Sequence, residues 1–270
     1  MRDREPLRPA YIETSHGRLH YVESGTGRRA ILLFHETPLS SKVFAPLMPL
    51  LSPSIRVIAF DTPGYGGSSP PTAQPSIEGY GAAIWSAVQQ LGLDEVAVCG
   101  IHTGATIGVE LASAERPGPR IVGAVLSGVT VLDADGMAYL ATFSERDKLD
   151  AEGAIKKSWQ DRKQRWVRAS TELLVQALAD ELEVFPRRNE GFKAVASYDI
   201  RSAIDRIKLP VLVLNGENDS MAKIDTAAVT LFRDGKLILL PGWGGQLQWS
   251  ASTLYSEHVL EFLLPKFSVP

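Results

Sequence analysis

Continuous apolar runs alternate with helix-period segments along most of this chain. Ala30-Ile31-Leu32-Leu33-Phe34, Arg56 to Phe60, Val96 to Cys99, Ile121 to Leu126, Val211 to Leu214 and Leu237 to Leu240 read as buried strands. Such runs suit parallel strands covered by helices on both faces. Residues 10–24 alternate instead, predicting two short strands, AYIET and RLHYVES, joined through His16-Gly17. Helical spacing returns at Ile77, Tyr80, Ile84, Val88 and Leu91, with Ser76 placed as an N-cap. Further helices are expected over Phe44 to Leu51, after Gly104 (Ile107, Val109, Leu111), and from about Ser250 to Leu264. Strand and helix in alternation predict an α/β chain with a mostly parallel central sheet flanked by helices.

The pattern changes after Val131. From about 133 to 205 the chain is charged and helical, with Trp159, Trp166 and Phe192 as isolated large apolar residues. That segment is expected to be an inserted helical cap, with 1–132 and 206–270 forming the core. Tyr139 and Phe143 add to its apolar surface, which suits a small to medium, partly apolar substrate.

Composition narrows the function classes. Over 270 residues the chain is 44% hydrophobic and 22% charged, with net charge −3 and pI near 6.0. Nothing in that balance attracts nucleic acid or an anionic membrane. No apolar run approaches the roughly 20 residues of a membrane span, and the N-terminus is too charged for a signal peptide, so a cytoplasmic protein is expected. Cys99 is the only cysteine, and the five histidines lack ligand spacing, so no metal and no cofactor are expected. Gly64-Tyr65-Gly66-Gly67 lacks the strand–helix context of a dinucleotide fingerprint. The expected partner is a small-molecule substrate; no oligomeric state follows from the sequence.

The candidate chemistry centres on Glu95 to Leu111, EVAVCGIHTGATIGVEL. A buried strand runs into Gly100-Ile101-His102-Thr103-Gly104 and then a helix. Glycines two residues to either side of one side chain fit the tight G-x-S-x-G turn that lifts a nucleophile over a parallel sheet. Here the lifted residue is His102. In open α/β sheets ligands bind beyond the carboxyl ends of the strands, where His35, Asp61, His102, Asp219 and Gly245 all fall.

With His35-Glu36-Thr37-Pro38, Asp61 to Ser68, the elbow, Gly216-Glu217-Asn218-Asp219 and Pro241-Gly242-Trp243-Gly244 in chain order, the sequence resembles the α/β-hydrolase superfamily over about residues 10–264. The resemblance implies that fold, and the backbone N–H groups of Thr37 and Thr103 as an oxyanion hole beside the helix N-terminus. It also implies acyl transfer through serine, acid and histidine in that chain order. Asp219 matches the acid. The serine position holds His102, and the usual histidine position holds Gly245, followed by Gln246, so a serine-hydrolase mechanism is not supported. His102 is expected to reach into the volume vacated at Gly245 and form a base–carboxylate dyad with Asp219. Glu36 either faces the pocket as a second acid, pairs with His102, or points to solvent. Trp243, Gly245 and Gln246 are carried as substrate-binding positions. Thr103 is expected to point along the helix, His35 to bond backbone, Cys99 to be packed, and His16, His20 and His258 to be surface or satisfied residues. Two readings follow: an enzyme acting on a small carbonyl-containing substrate by hydrolase or lyase-type chemistry without an acyl intermediate, or a catalytically inactive ligand binder on the same fold.

Overall fold

The computed structural model describes residues 6–136, 138, 140 and 150–268. Its strands are β1 (Arg8–Thr14), β2 (Gly17–Ser24), β3 (Arg29–Phe34), β4 (Arg56–Phe60), β5 (Glu95–Ile101), β6 (Arg120–Ser127), β7 (Val211–Gly216) and β8 (Gly235–Leu240). They form one sheet in the order β1-β2-β4-β3-β5-β6-β7-β8. β1 pairs antiparallel with β2, and β2 antiparallel with β4. The remaining neighbours are parallel. The sequence reason is visible strand by strand. The alternating β1 has one exposed face, whereas every residue of β5 is buried, as expected of a parallel strand sandwiched between helices.

Helices α1 (Met48–Leu51), α2 (Ile77–Val88) and α3 (Thr103–Ala112) occupy the first half of the chain. Ser76 caps α2, its hydroxyl accepting the Gly79 N–H at 3.0 Å. The continuous helix expected over Phe44 to Leu51 is replaced by a 3₁₀ turn at Ser41–Phe44 and the single turn of α1. Pro46 and Pro49 lack the N–H groups a longer helix would need. Between β6 and β7 lie α4 (Ala151–Arg165), α5 (Thr171–Glu183), α6 (Glu190–Ala196) and α7 (Ile200–Arg206). α6 and α7 pack on α3, and Ala194, Val195, Ala203 and Ile204 join the apolar core on that side of the sheet. α8 (Ala222–Ala228) follows β7. The terminal helix is split into α9 (Leu247–Ser250) and α10 (Ser252–Leu263) where Ala251 leaves helical geometry at φ −132°.

The chain passes from β3 outward to β4 and then returns to the other side of β3 as β5. That reversal opens a crevice beyond the ends of β3 and β5. Two glycines allow α3 to start there. A Cβ on Gly100 would fall far inside van der Waals contact of the Gly104 carbonyl, and one on Gly104 would meet the Phe34 carbonyl.

Candidate active site

His102 sits between β5 and α3 with φ 48° and ψ −110°. This is a sparsely populated conformation for a residue with a Cβ, costing on the order of 1–3 kcal/mol, and such strain clusters at functional sites. The backbone is held there by the His102 N–H, which donates to the Ser127 carbonyl at 2.7 Å at the end of β6. The ring lies over Gly128, where a Cβ would collide with ring carbon Cδ2.

Two buried carboxylates flank the ring. Nδ1 is 3.1 Å from Oε2 of Glu36, which follows β3, and Nε2 is 3.5 Å from Oδ2 of Asp219, which follows β7. The Asp219 contact is at the long end of hydrogen-bond range. The second nitrogen faces Glu36 instead of an open pocket, so of the three positions open to Glu36 the structure takes the pairing with His102. That contact is off-axis, and Glu36 Oε2 is buried without a well-aligned hydrogen-bond donor. Asp219 is fixed from its other side, Oδ1 accepting the Met221 N–H at 2.6 Å. Gly245 is packed against this carboxylate: a Cβ there would overlap Asp219 Oδ2.

Electrostatics follow from this packing. Burial alone would favour the neutral imidazole, but the charges of Asp219 and Glu36 outweigh it and lift His102 to about 9. Burial likewise opposes ionisation of Asp219, yet the charged ring, assisted by the Met221 N–H, holds it below the ordinary carboxylate range. At neutral pH the ring is therefore an imidazolium, set between Glu36 and Asp219. Behind it lies Asp225, fully buried on α8. It accepts from Gly128 N–H (3.1 Å), Val129 N–H (2.7 Å) and Asn215 Nδ2 (2.7 Å). Burial nevertheless pushes its carboxyl up to about 6. Asp225 and Gly128 were missed by sequence reasoning. A lone acid inside Met221 to Val229 carries no local signal of its partners.

His102, Glu36, Thr37, Thr103 and Asp219 line one cavity of about 140 Å³. Thr103 is the first residue of α3, so its N–H has no acceptor within the helix. Most of the cavity's remaining wall comes from the segment between β6 and β7, including Arg162, Trp166, Phe192 and Val195, and Ser220 and Met221 complete it after β7. Of the other expected substrate-binding positions, Trp243 and Gln246 are not among the lining residues. The Trp243 ring is covered by the Arg168 guanidinium at 4.7 Å. Gln246 is buried in a left-handed conformation, its Oε1 taken by Gln248 Nε2 at 2.7 Å. Gly245 acts on the site only through Asp219. Trp159 is also outside the lining, and Tyr139 and Phe143 lie outside the described residues.

The remaining candidates are structural. His35 accepts the Thr62 N–H at Nε2 (3.0 Å) and donates from Nδ1 to the Glu36 carbonyl (2.9 Å), tying β3 to β4 beneath the site. His20 Nδ1 contacts Asp61 Oδ2 at 2.7 Å. Cys99 is packed against Tyr255, and burial pushes its thiol up to about 12. Among the described residues no group of His, Cys, Asp and Glu could hold a metal ion, and no helix is long and apolar enough to cross a membrane.

A family model for the alpha/beta hydrolase fold matches residues 29–252. The chain belongs to the α/β-hydrolase fold family. Haloalkane dehalogenase 2 of Mycobacterium tuberculosis is 33% identical over 137 residues, 50% of this chain and 47% of that protein. The matched stretch thus spans about half the length of that relative. The non-heme haloperoxidase of Rhodococcus erythropolis is 27% identical over 94% of this chain and 98% of its own. Among solved structures, bromoperoxidase from Bacillus anthracis superposes with TM-score 0.82 at 20% identity, covering 96% of this chain and 100% of that one. This α/β-hydrolase-fold chain shares its family with proteins of several named activities.

Proposed function

We propose that the protein is an enzyme acting on a small carbonyl-containing substrate by proton transfer, without a covalent acyl intermediate, through Glu36, His102 and Asp219. The observation that carries this reading is His102 itself, raised on the strained turn into a cavity and held charged between two carboxylates. Because the ring is an imidazolium at neutral pH, its role is that of acid rather than of the free base expected from sequence. Glu36 accepts a proton from the carbon next to the carbonyl, or from a water that attacks it. His102 donates a proton to the oxygen that gains negative charge. The Thr37 and Thr103 N–H groups, at the mouth of a helix N-terminus, stabilise that charge. After abstraction from carbon the proton on Glu36 returns to His102 and restores the starting state; after water attack the adduct gives a hydroxyl proton back to His102 as the C–O or C–N bond breaks, and Glu36 protonates the departing group. Asp219 keeps the ring oriented and charged. In this reading residues 133–205 are the cap that closes the pocket, contributing Trp166 and Phe192 as apolar wall.

The test is a screen of esters, amides, β-keto acids and C–C cleavage substrates on wild type, His102→Gln and Glu36→Gln. Turnover in wild type that falls by at least about a hundredfold in both variants supports the reading, the usual scale of general acid–base catalysis. Unchanged turnover in His102→Gln overturns it. So does labelling by a fluorophosphonate probe, since the Ser127 and Ser68 hydroxyls donate to the Leu214 and Asp61 carbonyls.

A second reading, a ligand binder without turnover, draws on the same ion cluster, because both ring nitrogens face carboxylates. It requires no turnover in any class and unchanged ligand affinity in Asp219→Asn.

A further inference from the structure

The cavity has a second polar end, opposite in character to the first. On α4, Ser158, Arg162 and Arg165 lie at i, i+4 and i+7 and therefore on one helix face, and all three line the cavity with Glu181 of α5. Arg162 is only 6% exposed. Its Nη1 is 2.7 Å from Glu181 Oε2 and donates to Ser158 Oγ at 3.1 Å, while its guanidinium packs over the Trp166 ring at 5.5 Å. Ser158 Oγ also donates to Glu181. The guanidinium is thus fixed in place before any ligand arrives, with a planar array of donors beyond those two bonds.

Among the described residues the lining charges at this end are two guanidiniums and one carboxylate. At the catalytic end they are two carboxylates, Glu36 and Asp219, and one imidazolium. A cavity with a cationic wall and an anionic floor orients a charged ligand, because low-dielectric walls strengthen the field between them. A carboxylate is repelled from the floor and drawn to the arginine wall, leaving the uncharged carbonyl end over His102.

We infer that the Arg162–Arg165 wall is a carboxylate subsite, and that the protein takes small carbonyl compounds bearing a carboxylate at the far end from the reacting group. The inference rests on the proposed carbonyl chemistry for which end reacts, but the subsite itself is a statement about binding. Apolar contact with Trp166 and Phe192 along the wall fits a short methylene chain between the two ends.

Calorimetry on the full-length protein separates the two ideas. The probes are monomethyl succinate, monomethyl glutarate and monomethyl adipate, each compared with its uncharged dimethyl ester. At least one monoester is expected to bind about tenfold or more tightly than its diester, the scale of a charge-assisted hydrogen bond. That preference is expected to fall severalfold in Arg165→Ala, a half-buried position whose replacement spares the buried Arg162–Glu181 pair. It should vanish in the double variant Arg162→Met, Arg165→Ala, which removes both lining guanidiniums and leaves Glu181 facing the buried Arg188 at 3.6 Å. Equal affinity for monoester and diester in wild type, or an undiminished preference in the double variant, overturns the subsite. Preferential monoester binding without turnover of any compound would instead leave the subsite standing and remove the proposed catalysis.

Discussion

Glu36→Gln is the sharpest test of the site's electrostatics, because it keeps the side-chain shape and removes one charge. His102 is lifted from the ordinary 6.5 to about 9, which at about 1.4 kcal/mol per tenfold favours the charged ring by roughly 3 kcal/mol. That figure is a balance in which burial lowers the value while Asp219 and Glu36 raise it. Removing the Glu36 charge leaves the burial cost in place and takes away one of the charges that oppose it, so His102 should fall from about 9 toward its ordinary value. The expected fall is at least about one pH unit. The separation supports a term of this size. Unit charges 3.1 Å apart interact by about 5 kcal/mol at an effective dielectric near 20, before screening by water at the pocket mouth. The assay is long-range ¹H–¹⁵N NMR of protein labelled in histidine, titrated from pH 5 to 10.5, with His102→Gln assigning the resonance. The linkage has a definite sign: a raised histidine value stabilises the fold fully below about 6.5 and loses that contribution as pH rises through about 9. Glu36→Gln should therefore lower Tm at pH 6 and have little effect, or raise it, at pH 10. A wild-type His102 that titrates at or below 6.5, or one unmoved by Glu36→Gln, refutes the account.

Other consequences concern packing around the same residues. Gly245→Ala places a Cβ against Asp219 Oδ2, so Asp219 must move; urea denaturation should show a loss of about 1–3 kcal/mol, and the His102 resonance should titrate lower. Gly104→Ala pushes a Cβ onto the Phe34 and His35 carbonyls, which are backbone and cannot rotate away. Its expected cost is at least about 3 kcal/mol, read as loss of soluble protein or a lowered urea midpoint, whereas Gly104→Ala of wild-type stability would mean that the elbow is looser than described. Ser76→Ala removes the cap on the Gly79 N–H and should cost about 1 kcal/mol by the same denaturation assay, with the site's titration unaffected.

Much of this architecture is written locally. Strand and helix periods at Ala30–Phe34, Arg56–Phe60 and Ile77–Val88 need no partner to be recognised, since alternation and 3.6-residue spacing are properties of a single segment. The glycines around His102 likewise mark a tight turn, and the parallel-sheet rule places residues after β3, β5 and β7 at one end of the molecule. The sequence therefore nominated His102, Glu36 and Asp219 together. It could not decide their contacts. Whether Glu36 turns toward solvent or toward His102 is a matter of rotamer, fixed by the packing of three loops whose site residues are 66 to 183 positions apart in the chain. Because the ring charge depends on both carboxylates at once, the change from free base to imidazolium could be read only in three dimensions. Gln246 and Trp243 show the same limit from the other side: they stand beside Gly245 in sequence, yet a left-handed turn and an arginine cover keep both out of the cavity wall. Arg162 and Arg165 enter that wall from a segment whose composition spoke only of charge and helix. Local pattern specifies elements because backbone geometry is local, while side-chain charge and reach depend on neighbours that the fold alone brings near.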